Sequence, residues 1–131
     1  MVRPYLGLDC DPKWIGHSAQ LMRAPNQKVK LLSSWKDGEV TKAIADSGHL
    51  FEVAFIDQFP DSSRIGTLRL LSHRVDVIVC HDTSPNMDRR MGLRPELDRF
   101  KFRYTYDGLM PWTDAVSNFK ALGGYLKEQR A

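Results

Sequence analysis

Short apolar runs alternate with amphipathic segments along the whole chain. Apolar runs rich in β-branched residues are typical of buried strands, and apolar residues at helical spacing are typical of helices. The pattern predicts strands at 5–8, 29–32, 51–56, 75–80, 100–106 and 115–119, and helices at about 12–23, 40–47, 62–72 and 121–129. Three strand–helix alternations and a fourth strand, followed by two further strands, indicate an α/β fold with a mostly parallel sheet that is covered by helices.

Capping and turn residues support these boundaries. Pro12 suits the first turn of a helix, Gly48 can close the second helix, and Ser62 or Ser63 can cap the third. Residues 84–98 are polar and are predicted to form a long loop with at most one helical turn. Residues 100–106 alternate aromatic and polar side chains, which predicts an antiparallel strand near a sheet edge with one covered face.

Polar side chains follow four of the predicted strands. They are Asp9, the pair Ser33-Ser34, Asp57 and the pair His81-Asp82. In open α/β sheets, ligands bind outside the carboxyl ends of the strands. We therefore expect these side chains to meet at one edge of the sheet and to form the functional site.

Composition narrows the class of protein. With 131 residues and 42% hydrophobic positions, the chain suits a single domain over 1–131. No apolar run reaches the roughly 18–20 residues that a membrane span needs, and the first residues do not resemble a signal peptide, so a cytoplasmic protein without membrane contact is predicted. The net charge of +3 is small and evenly spread, which argues against a nucleic-acid partner. Cys10 and Cys80 match no zinc spacing and are expected to be reduced and partly buried.

Four segments together resemble class I S-adenosylmethionine-dependent methyltransferases. Residues 6–14, with an acid and then Asp-Pro after an apolar strand, resemble that family's second strand and turn. Residues 51–57 resemble its fourth strand, and residues 75–83, ending in His-Asp-Thr, resemble the fifth strand of O-methyltransferase-like members. Residues 100–118 resemble the closing antiparallel hairpin. The resemblance implies a three-layer, Rossmann-like sheet, mostly parallel with a C-terminal antiparallel hairpin, and methyl transfer to a small-molecule substrate.

The family's first strand and its Gly-x-Gly turn have no counterpart here, since no Gly-x-Gly occurs in the sequence. In the family, that strand lies between the second and fourth strands, and the glycines allow the backbone to approach the cofactor. The corresponding strands, 5–8 and 51–56, could pair directly, receive a strand from another subunit, or have their edges buried in a homo-oligomer. We expect direct pairing together with self-association. A non-enzymatic binding or assembly module is the competing function.

The resemblance implies roles for the polar strand ends. Asp9 would bind the ribose of S-adenosylmethionine, and Ser34, Trp35 and Asp57 would complete the cofactor contacts. For Asp9, capping of the following helix is the alternative, although Asp11 is the better cap. Trp35 lies close to the expected position of adenine.

In cation-dependent members of the family, the ends of the fourth and fifth strands help to hold a divalent metal. Here Asp57 and Asp82 would bind Mg²⁺, and His81 would act with Asp82 in catalysis as a ligand or a general base. The alternative is that residues 81–83 form a turn in which Asp82 bonds to nearby backbone amides. Arg64 is expected to pair with Asp57 and to stabilise the turn after the third strand.

Overall fold

The computed structural model describes residues 3–87 and 92–122. The chain divides into two compact units, residues 1–50 and residues 51–131. The expectation of a single domain over 1–131 stays a prediction. The two units contain mixed parallel and antiparallel strands together with helices, so the predicted α/β class is confirmed.

The first unit is a βαβα arrangement. Its elements are β1 (Tyr5–Asp9), α1 (Pro12–Ala19), β2 (Gln27–Leu31) and α2 (Asp37–Ser47). β1 and β2 pair in parallel, with Asp9 opposite Leu31. The Asp11 side chain caps α1 by accepting a hydrogen bond from the Lys13 amide at 2.9 Å, as its sequence position predicted. Gly48 ends α2 in the left-handed conformation, with φ of 69°.

The second unit contains the larger sheet. Its elements are β3 (Val53–Ile56), a 3₁₀ turn (Asp61–Ser63), α3 (Arg64–Leu71), β4 (Val77–His81), α4 (Leu93–Leu97), β5 (Phe102–Tyr106) and β6 (Thr113–Ser117). The strand order is β3-β4-β6-β5. β3 and β4 are parallel, and β6 is antiparallel to both of its neighbours. The prediction of an antiparallel edge strand at 100–106 is confirmed by β5.

One face of the larger sheet is the core of this unit. Ile78, Cys80 and Val116 have at most 1% of their surface exposed, and α3 lies against β3 and α4. The region predicted to be a loop contains α4, whose Leu93 and Leu97 are fully buried. These two leucines explain why a short helix forms in an otherwise polar segment.

Several expectations differ from the structure. Direct pairing of the first and third strands is wrong, because among the described strands β1 pairs only with β2 and β3 pairs only with β4. α1 ends at Ala19 instead of about residue 23, since the Arg23 side chain bonds the Gln20 carbonyl in a turn. The predicted terminal helix at 121–129 lies almost wholly outside the described residues.

Within the described part of the chain, no helix has the length and apolar composition that a membrane crossing requires.

Candidate functional site at the carboxyl ends of β3 and β4

Three of the predicted site residues lie together in the second unit. Asp57 directly follows β3, His81 ends β4, and Asp82 comes next in the chain. Because β3 and β4 are parallel neighbours, with Ile56 opposite Cys80, their carboxyl ends meet at the same edge. One ligand atom from each of the three residues lies within 4.8 Å of the other two. The sequence-based expectation that these side chains converge is therefore confirmed for this pair of strands.

Arg64 is the centre of this cluster. Its side chain is 4% exposed, and its Nη2 lies 3.3 Å from Asp57 Oδ1 while its Nη1 lies 3.3 Å from Asp82 Oδ2. The same guanidinium donates to the carbonyl oxygens of Gln58 at 2.8 Å and His81 at 3.1 Å. The predicted pairing with Asp57 is present, but Arg64 also joins the ends of both strands.

The cluster contains more negative than positive charge. Asp61, in the turn before α3, places Oδ1 3.6 Å from Arg64 Nη2. One guanidinium therefore faces three carboxylates, an excess of two negative charges when His81 is neutral. Arg64 contacts one oxygen each of Asp57 and Asp82, so each carboxylate has a second oxygen with which to bind a cation. Such a surplus of hard oxygen ligands favours a divalent cation.

His81 is held by the strand on its other side. Thr113 is the direct partner of His81 in the antiparallel register of β4 and β6, and His81 Nδ1 lies 3.0 Å from Thr113 Oγ1. The other ring nitrogen, Nε2, lies 3.5 Å from Asp82 Oδ1. The Phe55 ring lies beside the imidazole, with 6.5 Å between the ring centroids. One nitrogen of His81 thus has a hydroxyl partner, and the other points to the carboxylates.

The backbone of Asp82 has an unusual conformation. Its φ is 61°, in the left-handed region that residues other than glycine seldom occupy, although Asp and Asn tolerate it best. Strained residues of this kind persist where surrounding contacts hold them, and they are concentrated at functional sites. Here two contacts hold the turn. One is the ion pair of Asp82 with Arg64, and the other is the hydrogen bond from the Thr83 amide to the Trp112 carbonyl, which is 3.0 Å long.

A buried carboxylate that the sequence did not single out supports the same turn. Asp114 in β6 is fully buried and accepts hydrogen bonds from Thr83 Oγ1 at 2.6 Å and Thr105 Oγ1 at 2.9 Å. Thr83 bonds to Oδ1, whereas Thr105 shares Oδ2 with Arg103 Nε, which lies 2.5 Å from that oxygen. The available signal was an acidic residue directly before the apolar pair Ala115-Val116, but its partners depend on the strand register.

The other predicted site residues lie in the first unit. Asp9 ends β1, and its Oδ1 accepts a hydrogen bond from the Asp11 amide at 2.8 Å. The Ser34 hydroxyl donates to Glu39 Oε1 at 2.9 Å, and the half-buried Trp35 follows it. Ser34 therefore has a structural role before α2. The roles of Asp9, Ser34 and Trp35 toward a cofactor stay predictions.

Glu39 organises the loop between β2 and α2. Its carboxylate accepts hydrogen bonds from the hydroxyls and amides of Ser33 and Ser34. The hydroxyl of Ser33, and after it that of Ser34, lowers the pKa of Glu39 from 4.5 to about 2. Sequence reasoning missed this residue, because it began α2 at the first apolar position, Val40.

Neither cysteine has the lowered pKa that is typical of a nucleophilic thiol. Both are free thiols, as expected. Burial raises the pKa of Cys80 to about 12, and burial together with the neighbouring Asp9 raises the pKa of Cys10. Since the thiolate is the reactive form, these raised pKa values lower the reactive fraction of both thiols at neutral pH.

Comparison of the chain with protein-family models, with curated proteins and with solved structures gives no match.

Proposed function

We propose that this chain is the acceptor-binding part of an S-adenosylmethionine-dependent methyltransferase-type domain, with a divalent cation held by Asp57, His81 and Asp82. The observation that carries the proposal is the convergence of these three side chains at the carboxyl ends of parallel strands, within 4.8 Å and with surplus negative charge. The substrate would be a small molecule with an acceptor oxygen.

The strand pairing supports the Rossmann-like part of the proposal. The resemblance locates a first strand between the counterparts of β1 and β3. Among the described strands, β1 has β2 and β3 has β4 as its single hydrogen-bonded neighbour. The β5–β6 pair is antiparallel, as the closing hairpin requires.

One pair of donor atoms has the spacing expected around a small divalent cation. Two ligands of an ion with bonds of about 2.0–2.1 Å at a tetrahedral angle lie about 3.4 Å apart. The distance between His81 Nε2 and Asp82 Oδ1 is 3.5 Å. Carboxylate oxygens suit Mg²⁺, and the additional imidazole nitrogen also suits Zn²⁺. A cation here would lower the pKa of a bound acceptor hydroxyl.

The residues around the cation would have separate roles. Asp57 and Asp82 hold the cation, and Arg64 fixes the orientation of both carboxylates. Where oxygen ligands alone hold the cation, His81 Nε2 is available to take the proton from the acceptor oxygen. Methyl transfer depends mainly on such positioning, because the displacement needs an in-line approach.

S-adenosylmethionine fits this chain only in part. Asp9 ends a parallel strand, which suits a ribose contact. The sequence contains no Gly-x-Gly, however, and the Ser34 hydroxyl already donates a hydrogen bond to Glu39. This observation favours the second candidate function, a cation-binding assembly module without transferase activity. We therefore derive no transfer step for the chain alone.

Cation binding is the first test. Calorimetric titration with Mg²⁺, Mn²⁺ and Zn²⁺ should show saturable binding, which the double variant Asp57→Asn/Asp82→Asn should abolish. Asp61→Asn is the matched control, because it removes a carboxylate beside Arg64 but none of the three ligands. Undiminished binding by the double variant, or no binding by the wild type, would contradict the proposed site.

Cofactor binding is the second test. Titration with S-adenosylmethionine and S-adenosylhomocysteine should release heat, and Asp9→Ala should weaken the affinity tenfold or more, about 1.4 kcal/mol. An unchanged affinity of this variant would remove Asp9 from the site. No heat at millimolar cofactor, with cation binding intact, would favour the assembly module over the transferase.

A further inference from the structure

The hydrogen bond between His81 and Thr113 joins two strands and has no role yet in the proposed site. The two residues are direct partners in the β4–β6 register, so their side chains lie on the same face of the sheet. The distance between Nδ1 and Oγ1 is 3.0 Å. The sheet register therefore fixes this contact, unlike a contact between two long surface side chains.

A neutral imidazole has one nitrogen that donates and one that accepts, and the partner of one nitrogen decides the state of the other. If Nδ1 carries the proton and donates to Thr113 Oγ1, the lone pair on Nε2 faces the carboxylates. Only this tautomer can bind a cation through Nε2. In the other tautomer, Nε2 would carry the proton toward Asp82 Oδ1, 3.5 Å away. That distance is at the outer limit for a hydrogen bond, whereas the contact of Nδ1 with Thr113 Oγ1, at 3.0 Å, is well within range.

We infer that Thr113 is a positioning residue, whose hydroxyl holds His81 in the Nδ1-protonated tautomer and so directs Nε2 at the cation site formed with Asp57 and Asp82. The inference rests on the proposed function for the identity of the site, but the tautomer can be measured without a bound cation. Thr113 touches neither cation nor substrate and acts only through the imidazole. Hydrogen-bonded partners of metal-binding histidines commonly change metal affinity 10- to 100-fold.

The tautomer can be measured directly. Long-range ¹H–¹⁵N spectra of the ¹⁵N-labelled full chain at pH 8.5, where an imidazole is ordinarily neutral, distinguish the two nitrogens, and His81→Gln assigns the signals. The wild type and Thr113→Ser should show protonated Nδ1. Thr113→Val, which has nearly the same shape but no hydroxyl, should move the population toward protonated Nε2. A wild type with protonated Nε2, or a valine variant with an unchanged tautomer, would overturn the inference.

Zinc is a suitable probe for the consequence, because it is diamagnetic and binds imidazole. Following the His81 signals during Zn²⁺ titration should show affinity at least tenfold weaker in Thr113→Val than in the wild type, and nearly unchanged in Thr113→Ser. A general loss of packing would not be repaired by serine, which lacks the threonine methyl group. If the wild type shows the expected tautomer but binds no Zn²⁺, the cation site fails while the positioning role stands. Equal affinity in the valine variant would overturn the proposed effect of Thr113 on the cation.

Discussion

At the scale of single residues, the candidate site depends on a buried guanidinium. Moving a charge out of water is costly unless partners surround it, and Arg64 has the carboxylates of Asp57, Asp61 and Asp82 and two backbone carbonyls. A planar group with five donors can serve partners from several directions, which a lysine ammonium cannot do with the same geometry. The residue thus ties the first turn of α3 to the ends of both strands.

We expect Arg64→Met to lower the free energy of unfolding by about 3 kcal/mol or more, because it leaves three carboxylates close together without a counter-charge. Arg69→Met is the matched control on the same helix. Arg69 is 60% exposed and pairs with Glu96, so its loss should cost no more than about 1 kcal/mol. Urea denaturation measures both values. Equal, small effects of the two substitutions would mean that Arg64 does not hold the site together.

At the scale of elements, the sequence predicted most strands and helices, because their apolar patterns are local. It predicted the meeting of Asp57 with His81 and Asp82 for the same reason, since parallel strands bring their carboxyl ends to one edge. It did not predict the Thr113 contact. β6 lies between β4 and β5, and this insertion and its register depend on contacts between distant parts of the chain.

The start of α2 shows a second limit of the sequence pattern. The helix begins at Asp37, three residues before the first apolar position, because the Glu39 carboxylate binds the amides and hydroxyls of Ser33 and Ser34. A capping role of this kind depends on a side chain that turns back along the chain. Periodicity of apolar residues does not report it.

This contact predicts a pH dependence for the first unit. Because the pKa of Glu39 is lowered from 4.5 to about 2 in the folded chain, its stabilising effect is complete above about pH 4.5 and is lost as the pH falls toward 2. A ¹³C titration of the carboxyl group should give a midpoint far below 4.5. Ser33→Ala/Ser34→Ala should return that midpoint toward the ordinary value, whereas Ser47→Ala, at the other end of α2, should not. A wild-type midpoint near 4.5 would contradict the contact.

At the scale of the whole molecule, β3 has a single hydrogen-bonded neighbour among the described strands and carries no charged residue. β3 reads Val-Ala-Phe-Ile, the composition of a strand inside a sheet, yet it lies at the end of the strand order. Val53 and Phe55 are 59% and 64% exposed on one face. Natural edge strands usually carry lysine, proline or a bulge that prevents pairing with another chain. β3 has none of these within its four residues, which supports the expected self-association through sheet edges.

We therefore expect the wild type to self-associate as its concentration rises, and Phe55→Lys to reduce this association by placing a charge on the open strand. Light scattering after size exclusion, over a hundredfold range of concentration, measures the effect. Phe119→Lys is the control, because Phe119 is 53% exposed but lies outside the strands. Since Phe55 is largely exposed, the variant should keep the circular dichroism spectrum of the wild type. If the edge of β3 binds a second copy of the chain, only Phe55→Lys should shift the mass toward the monomer. A wild type that stays monomeric at every concentration would show that the edge of β3 alone does not drive association.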